Sequence, residues 1–409
     1  MQDTPRNVKA QRPVAVLQVV PRLQSGGAEQ STCEIAAGLV RAGAHSLVAS
    51  TGGRLTDRLQ REGSVFLPFA ADSKNPLRMA ANVATLCGII RSHSVSLIHA
   101  RSRAPAWSAL AAARLCGIPF VTTFHGANRP QNMAKRIYNS VMTRGDVTIA
   151  NSRYTAVRIE QDYGADKRRV AAIYRGVDLD VFDPAAVAQD RLANLRRLWH
   201  LDERDRVIFV PARVTPIKGH ETVIRALTRL APANPKLVCI MAGDDQGHRG
   251  YSDGLRHLAA DLGLTDRVRL VGHCADMPAA YALSEVTLIA SVEPEAFGRT
   301  APEAQAMASL VIATDLGGAI ETVVTPPEVP EDARTGWRIP PGDPEALAAA
   351  LGLVLSLPEK RKQLINQAAH KRVQDMFSLD AMILHTLEVY DGLLGSGLAR
   401  KYTADSPLE

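Results

Sequence analysis

The sequence predicts an α/β protein in which two doubly wound parallel-sheet domains follow each other along the chain. Short apolar runs alternate with helical patterns in both halves, which is typical of parallel sheets covered by helices. The chain has 409 residues, too many for one ordinary hydrophobic core. A polar, alanine-rich stretch interrupts the pattern at 185–205. We therefore predict a first domain over 1–184, a linker over 185–205 and a second domain over 206–377.

The apolar runs give the predicted strands of both sheets. In the first half, runs predict strands at 14–20, 47–49, 65–69, 95–99, 120–124 and 147–150. In the second half the pattern restarts, with strands predicted at 207–210, 237–242, 268–271, 286–290 and 310–313. Helical patterns cover 300–308 and the region from 342 to about 394.

Composition and cysteine usage indicate a soluble globular protein of a reducing compartment. Apolar residues make up 46% and charged residues 22% of the chain. The five cysteines are scattered and never in C-x-x-C spacing, which argues against disulfides and against a zinc site. No apolar run reaches the ~18 residues needed to cross a bilayer, and the polar N-terminus does not resemble a signal peptide. We expect a cytoplasmic protein.

The two halves differ in charge. Residues 1–185 hold 24 Lys and Arg against 13 Asp and Glu, whereas the remainder holds 24 against 29. A basic half favours an anionic partner: nucleic acid, a membrane surface or an anionic substrate. Aromatic residues are only 5% of the chain and do not interleave with the basic clusters, so nucleic acid is not expected. An anionic membrane surface or a phosphate-bearing acceptor fits better.

The stretch 286–321 is the strongest candidate for a site. It predicts a strand, a helix and a second strand, and ligands of parallel sheets bind at the carboxyl edge of such strands. Glu295 lies in the loop before the helix and Glu303 one turn inside it, so two carboxylates can reach one polyhydroxylated ligand. Amides after Phe297 and Gly298 open the helix, where phosphate binds readily. The alternative is a solvated acidic loop in which Gly298 serves only the turn.

Two cations follow the first strand of the second domain. Arg213 and Lys218 are five positions apart and straddle a loop between strand and helix. They can both reach one pyrophosphate, and they lie at the same predicted sheet edge as Glu295 and Glu303. Read without that context, they are ordinary surface charges.

The first domain offers a glycine loop and a histidine. Gly26 and Gly27 follow the first strand and let the backbone approach a ligand, although a simple glycine turn explains them equally well. The dinucleotide fingerprint G-x-G-x-x-G is absent there, which weighs against a dinucleotide oxidoreductase. His125 ends the fifth predicted strand and should face the same cleft. On position alone, a structural histidine is the more common case.

A basic amphipathic segment follows His125. Its apolar residues recur at helical spacing, and we expect that face to pack in the core. Its basic residues, with two arginines at the end of the fourth strand, are candidates for acceptor phosphate or anionic lipid headgroups, the alternative being a solvated face. These candidates are Arg101, Arg103, Arg129, Lys135 and Arg136.

Several motifs together carry a family resemblance. The E-x7-E of EPEAFGRTAPEAQAM, followed by ATDLGGAIE, resembles the signature of the retaining nucleotide-sugar glycosyltransferases of family 4, and TFHG, ANSRYTA and IYRGVDLDVFDP are similar to further family segments. The resemblance implies the GT-B fold, in which two Rossmann-like domains face each other across a cleft. It also implies that 378–409 forms a helix crossing back to the first domain, with a tail. The chain departs from the family at Ala308, Ser309 and Leu310, where Gly-x-Pro is usual, and in a long stretch at 325–335.

The resemblance also implies roles. It places His125 beside the donor sugar, Arg213 and Lys218 on the donor diphosphate, Glu295 on sugar hydroxyls and Glu303 on the ribose. The first four are the implied catalytic residues. The other implied donor-binding positions are Gly26, Gly27, Gly243, His273, Ala296, Phe297, Gly298, Arg299 and Thr300.

We therefore expect retaining transfer of a sugar from a nucleoside-diphosphate sugar to a membrane-associated glycolipid or lipopolysaccharide-type acceptor at the inner face of the membrane. No cofactor and no metal are expected, because cations and helix amides serve the phosphates and the one D-x-D triplet, Asp178 to Asp180, falls in the predicted hinge. The alternatives are a sugar-phosphate synthase or nucleotide-sugar epimerase of the same fold with soluble substrates, and a non-catalytic nucleotide-sugar-binding regulator.

Overall fold

Two parallel sheets organise the residues that the computed structural model describes, which are 13–24, 26–72, 75–126 and 132–404. The first sheet has seven strands and the second has six. All their pairings are parallel, and helices connect them. The predicted fold class of two doubly wound domains is thus confirmed.

The first sheet has the order β3-β2-β1-β4-β5-β6-β7. The order reverses beside β1, which pairs with β2 on one side and β4 on the other, so a ligand-binding crevice is expected outside its carboxyl end. The last strand is only three residues long, too short to be recognised from its apolar pattern. The strands are β1 (Ala15–Val19), β2 (His45–Ser50), β3 (Val65–Pro68), β4 (Leu97–Ala100), β5 (Phe120–Phe124), β6 (Val147–Ala150) and β7 (Val170–Ala172).

Helices cover both faces of this sheet. Asn75 and Ser152 cap two of them by accepting hydrogen bonds from backbone amides in the first turn. Two helices end at glycines in the left-handed region, Gly117 and Gly164. The helices are α1 (Gly27–Arg41), α2 (Thr56–Arg61), α3 (Pro76–Ser92), α4 (Arg103–Cys116), α5 (Met133–Asn139) and α6 (Arg153–Tyr163).

The second sheet repeats the arrangement with the order β10-β9-β8-β11-β12-β13. Its reversal lies between β8 and β11, which brings the loops after both strands to one crevice. The strands are β8 (Arg206–Pro211), β9 (Leu237–Ala242), β10 (Val268–Gly272), β11 (Ser284–Ile289), β12 (Leu310–Thr314) and β13 (Trp337–Ile339).

The remaining helices surround the second sheet or follow it. Within the described part of the chain, none is both long and apolar enough to cross a membrane. Single 3-10 turns occur at Ser140–Thr143, Lys167–Arg169, Pro184–Ala186, Pro216–Lys218 and Glu331–Ala333. The helices are α7 (Gln189–Leu198), α8 (His220–Leu230), α9 (Arg249–Asp261), α10 (Met277–Leu283), α11 (Thr300–Ala306), α12 (Ala319–Thr322), α13 (Pro344–Leu355), α14 (Glu359–Phe377), α15 (Leu379–Leu394) and α16 (Leu398–Ala404).

The segment 185–205 is not the linker that its polar composition suggested. It forms α7, whose Leu195 is buried in the core of the second domain, as is the following Trp199. The Trp199 ring stacks on Phe209 of β8, with 6.0 Å between ring centroids. A few apolar side chains on an otherwise polar helix suffice to dock it, so the segment belongs to the second domain.

The chain crosses between the domains twice, and the two crossings touch. The Val177 amide donates to the Phe377 carbonyl at 2.7 Å, and the Leu379 amide donates to the Val177 carbonyl at 2.8 Å. Beyond this point α15 packs on the first domain, where Ile383 and Leu387 join its buried core. The terminal helix therefore ties the end of the chain back to the first domain.

Candidate functional site

A cavity of about 630 Å³ lies between the two domains. The first domain contributes the start of α1 and the loops that follow β5, β6 and β7, and the second contributes the loops after β8 and β11. The lining includes Gly27, His125, Gly126, Asn151, Arg175, Arg213, Lys218, Glu295, Ala296, Phe297, Gly298, Arg299, Thr300 and Glu303. The cations near 215 and the carboxylates near 300, remote in sequence, thus meet at one site.

Glu295 and Lys218 form an ion pair within this cavity. The Lys218 Nζ lies 2.7 Å from Glu295 Oε1, and the Ser291 hydroxyl also donates to Glu295. Burial opposes ionisation of this carboxyl, but the charge of Lys218 and its hydrogen bonds outweigh burial, so the pKa of Glu295 is lowered. Glu295 is therefore an ionised acceptor of hydrogen bonds at neutral pH.

Glu303 has a contrasting environment eight residues later. Its carboxylate accepts a hydrogen bond from the Tyr281 hydroxyl at 3.1 Å and lies 3.4 Å from the Arg299 Nε. Burial is the largest influence and raises the pKa of Glu303 above its ordinary value, although Arg299 and Tyr281 act in the opposite direction. The two carboxylates of the motif therefore differ in how readily they lose a proton.

Arg299 joins the two domains across the cleft. Its guanidinium donates to Glu34 of α1 with an N–O distance of 3.1 Å, in addition to its contact with Glu303. Glu34 is almost fully buried. A residue expected from the resemblance to touch the donor therefore also forms an interdomain ion pair.

The loop 295–300 is held by tight packing. Gly298 has φ +77°, which favours glycine. A Cβ on Gly317 would lie 2.4 Å from the Glu295 carbonyl oxygen, and one on Gly318 would lie 2.5 Å from the Phe297 Cα. The Gly-Gly turn after β12 therefore supports the loop by close backbone approach.

Contacts with the first domain hold the middle of the loop. The Ala296 carbonyl accepts hydrogen bonds from the hydroxyls of Ser152 and Thr155 in the first domain. Phe297 is buried against Tyr174 and Phe377, so its side chain anchors the loop rather than facing the cavity.

His125 lines the cavity between the domains and also a smaller cavity in the first domain. The Arg175 guanidinium donates to its Nδ1, so the ring proton resides on Nε2. Nε2 has no partner among the residues that the structure describes. Burial, followed by the charges of Arg175 and Arg101, lowers the pKa of His125 well below 6.5, so the ring is neutral at pH 7.

The smaller cavity, of about 260 Å³, includes Arg101, Arg103, Glu29 and His125 in its lining. Arg101 is only 2% exposed and donates to the Gln18 side chain at 2.9 Å and to the Ser31 carbonyl at 3.2 Å. Arg101 follows β4, where the sequence predicted it, and is a buried cation beside the cleft.

The exposed basic helix α5 lies apart from both cavities. Lys135 and Arg136 are exposed on it and line neither cavity. Met133 and Ile137 are 65% and 56% exposed, so the prediction that this apolar face packs in the core is wrong for both. Burial begins at Asn139, the last residue of α5, and continues at Val141 and Met142 of the following 3-10 turn. Arg129 lies outside the described residues.

Three predicted donor positions, Gly26, Gly243 and His273, do not line the main cavity. Gly26 precedes α1, and Gly243 and His273 follow the ends of β9 and β10. A Cβ on Gly243 would lie 2.0 Å from the Ala212 carbonyl oxygen, so this glycine permits close packing of two loops. Arg213 is exposed at the cavity and donates to the Gln246 side chain at 2.9 Å.

Sequence reasoning assigned no role to three residues that shape the site. Arg175 follows β7, and the strand-end rule would have found it had so short a strand been recognisable. Glu34 is a helical residue without a motif. Glu321 accepts hydrogen bonds from the amides of Arg153 at 2.9 Å and Tyr154 at 2.7 Å, so it caps α6 of the other domain. No local sequence pattern predicts that Glu321 caps a helix that begins 168 residues earlier in the chain.

Two Rossmann-like domains that face each other across a cleft lined by cations and carboxylates define the GT-B class of proteins. The family model described as Glycosyltransferase Family 4 matches residues 25–181, and that described as Glycosyl transferases group 1 matches residues 193–371. The chain belongs to this family of GT-B glycosyltransferases.

Relatives agree with this assignment. The D-inositol 3-phosphate glycosyltransferase of Salinispora tropica is 32% identical over 295 residues, which cover 67% of this chain and 59% of that protein. The crystal structure of a glycosyltransferase from Rickettsia africae ESF-5 is 35% identical, with a TM-score of 0.86, and the match covers 94% of this chain and 99% of that one. The structure of Anabaena Alr3699/HepE in complex with UDP-glucose shares the fold at 23% identity and a TM-score of 0.78, over 93% of this chain and 100% of that one.

Proposed function

We propose that the protein is a retaining glycosyltransferase that moves a sugar from a nucleoside-diphosphate sugar to an acceptor bound against the first domain. The observation that carries the proposal is the convergence of Arg213, Lys218, Glu295 and Glu303 on one interdomain cavity opposite His125. Cations and carboxylates side by side suit a ligand that carries both phosphates and hydroxyls.

The donor would lie along the second domain. Ionised Glu295 would accept hydrogen bonds from sugar hydroxyls, and Glu303 would accept from the ribose. Arg213 and Lys218 would hold the diphosphate, which requires that Lys218 share its contact with Glu295. The complex of Alr3699/HepE with UDP-glucose supports a nucleotide sugar as the class of ligand.

The main electrostatic demand of the reaction is the charge that develops on the leaving diphosphate and at the anomeric carbon. Fixed cations at the cavity would stabilise the charge on the leaving diphosphate, and ionised Glu295 lies nearby. His125 is neutral and therefore does not add a positive charge beside the anomeric carbon. We propose that transfer proceeds without a divalent metal, because these side chains already balance the phosphate charge.

The acceptor would occupy the smaller cavity, and we propose that it carries phosphate. Arg101 and Arg103 favour an anion there. The name of the Salinispora relative supports a small phosphorylated polyol as this acceptor.

The second candidate acceptor is the one expected from the sequence, a glycolipid at the inner membrane face. It is supported by the exposed apolar side chains of α5, Met133 and Ile137, which lie beside the exposed basic residues Lys135 and Arg136.

A thermal-shift screen of nucleoside diphosphates and their sugars tests the donor, since a ligand that binds the folded state raises its stability. Transfer is then measured to D-inositol 3-phosphate and to glycolipid in anionic vesicles, with and without EDTA, and the anomeric configuration of the product is read by NMR. An inverted product, or activity lost in EDTA and restored by manganese, contradicts the mechanism. No stabilisation by any compound contradicts the function.

A further inference from the structure

The cations of the interdomain cavity are not all balanced by carboxylates. Lys218 pairs with Glu295, and Arg299 pairs with Glu303 and Glu34. The other two cations of the lining are Arg175 and Arg213. Within the described residues, neither has a carboxylate within 4.0 Å. One of these guanidinium groups comes from each domain, so the surplus positive charge of the cavity spans the cleft.

Arg175 is held in a fixed position. Its backbone precedes Gly176, where a Cβ would lie 2.5 Å from the Leu379 Cα, so the two chain crossings fix this point. The residue is only 7% exposed, yet it lines the cavity. One of its N–H groups donates to the Nδ1 of His125. The structure gives no acceptor among the described residues for the other guanidinium donors.

A buried guanidinium without an anionic partner is costly, because its charge has lost water without gaining a counter-charge. Burial, together with the charges of Arg101 and Arg299, lowers the pKa of Arg175 to about 9, so it remains positive at pH 7. At a functional site, a bound ligand of opposite charge commonly offsets this cost. A diphosphate carries the negative charge that would balance the unpaired positive charge of the cavity.

We propose that Arg175 binds the diphosphate of the donor from the first domain, opposite Arg213, and is a catalytic residue of the transfer. The inference rests on the proposed function and extends it to a residue that the E-x7-E and Arg-Lys motifs do not include. As the bond between the anomeric carbon and the diphosphate oxygen breaks, its electron pair remains on the diphosphate. A guanidinium already in place stabilises that charge without reorganisation.

An arginine suits this position better than a lysine. Its planar fork can donate to His125 with one N–H and to phosphate oxygens with others, whereas an ammonium is a point charge. The titratable groups around His125 are positive or neutral: Arg101, Arg103, Arg175 and His99. Because Arg175 donates to Nδ1, it keeps the His125 proton on Nε2 while its other N–H groups bind phosphate.

Calorimetric titration of the full-length protein with inorganic pyrophosphate tests the proposal directly. We expect Arg175→Met to weaken binding by about ten- to a hundredfold, as does Arg213→Met, because each removes a charge-assisted hydrogen bond. Arg169→Met is the matched control, since this exposed arginine lies next to β7 and outside the cavity. It should bind as the wild type does.

The outcomes separate this inference from the proposed function. Wild-type protein that binds no pyrophosphate and no nucleoside diphosphate overturns both. Unchanged binding by folded Arg175→Met, or a change only in the KM for the acceptor, overturns the role of Arg175 alone and leaves the function standing.

Two further variants cover the case in which Arg175→Met does not fold. Arg175→Lys keeps the charge and should bind pyrophosphate more tightly than Arg175→Gln, which keeps only a neutral donor. Equal affinity of both variants and the wild type overturns the proposal. Nitrogen NMR of histidine-labelled wild-type protein should find the His125 proton on Nε2, and a proton on Nδ1 would contradict the hydrogen bond from Arg175.

Discussion

On the second-domain wall of the cleft, Glu295 forms an ion pair with Lys218, and Glu303 forms one with Arg299. On the first-domain wall, by contrast, three arginines surround His125, and none of them forms an ion pair among the described residues: Arg101, Arg103 and Arg175. Both motif carboxylates of the second wall are therefore paired before any ligand arrives, and Arg213 is the cation of that wall that has no carboxylate within 4.0 Å among the described residues. None of the three arginines of the first wall has such a partner, so an anionic substrate would complete both walls. The motif carboxylates thus lie on one wall, whereas most of the unpaired positive charge lies on the other.

The largest expected effect comes from breaking the ion pair between Lys218 and Glu295 on the second wall. Glu295→Gln should lower the rate of transfer by about a hundredfold or more, because it removes the ionised acceptor of the sugar hydroxyls. It should also lower the free energy of unfolding, since Lys218 keeps its charge without its partner. Steady-state kinetics and urea denaturation measure the two effects. Glu293→Gln, an exposed neighbour, is the control, and wild-type activity of Glu295→Gln would contradict the role.

The next effect tests the link between the walls. Glu34→Gln removes the carboxylate that joins α1 to Arg299 and should raise the KM for the donor by about tenfold, because the closed cleft loses a buried charged contact. X-ray scattering should report a larger radius of gyration than in the wild type. Asp57→Asn, an exposed position on α2, provides the control. An unchanged KM together with unchanged scattering would show that closure does not depend on this pair.

A smaller effect sharpens the difference between the two motif carboxylates. Glu295 has a lowered pKa, so its contribution to stability is present above its unfolded value of 4.5 and is lost as the pH falls through the folded pKa. Glu303 has a raised pKa, so its contribution is present below 4.5 and is lost as the pH rises through the folded pKa.

Urea denaturation across the acid range measures this difference. Relative to Glu295→Gln, the wild type should lose stability as the pH falls below 4.5. Relative to Glu303→Gln, it should lose stability as the pH rises above 4.5. The same sign of pH dependence for both carboxylates would contradict the assigned environments.

The smallest expected effect concerns the residue that follows a helix. After α4 and α6, Gly117 and Gly164 occupy the left-handed region, whereas after α11 Ala308 does so, with φ +57°. Ala308→Gly should therefore raise the free energy of unfolding by less than about 1 kcal/mol, because relief of the Cβ clash exceeds the added chain entropy. Denaturant midpoints measure it, with the same substitution at Ala304, inside the helix, as a destabilising contrast. A lower midpoint for Ala308→Gly would contradict this account.

The candidate site was only partly predictable. Glu295, Glu303, Arg213 and Lys218 follow strands whose apolar runs are unmistakable, and parallel strands bring their carboxyl ends to one edge. Arg175 lies in the motif IYRGVDLDVFDP and Glu321 in ATDLGGAIE, but neither motif shows that Arg175 meets His125 or that Glu321 caps a helix of the other domain. Met133 and Ile137 have helical spacing, but spacing does not say whether a neighbouring element covers them.

The sequence by itself determined that there are two sheets, the positions of most strands along the chain and the motif residues of the second domain, because apolar periodicity and turn residues act over short distances along the chain. The tertiary structure decided which charges pair across the cleft, that 185–205 docks as a helix, and that Arg101 and Arg175 are buried beside His125. These outcomes depend on contacts between residues far apart in sequence. Coulombic and packing energies of that kind exist only once the two domains face each other.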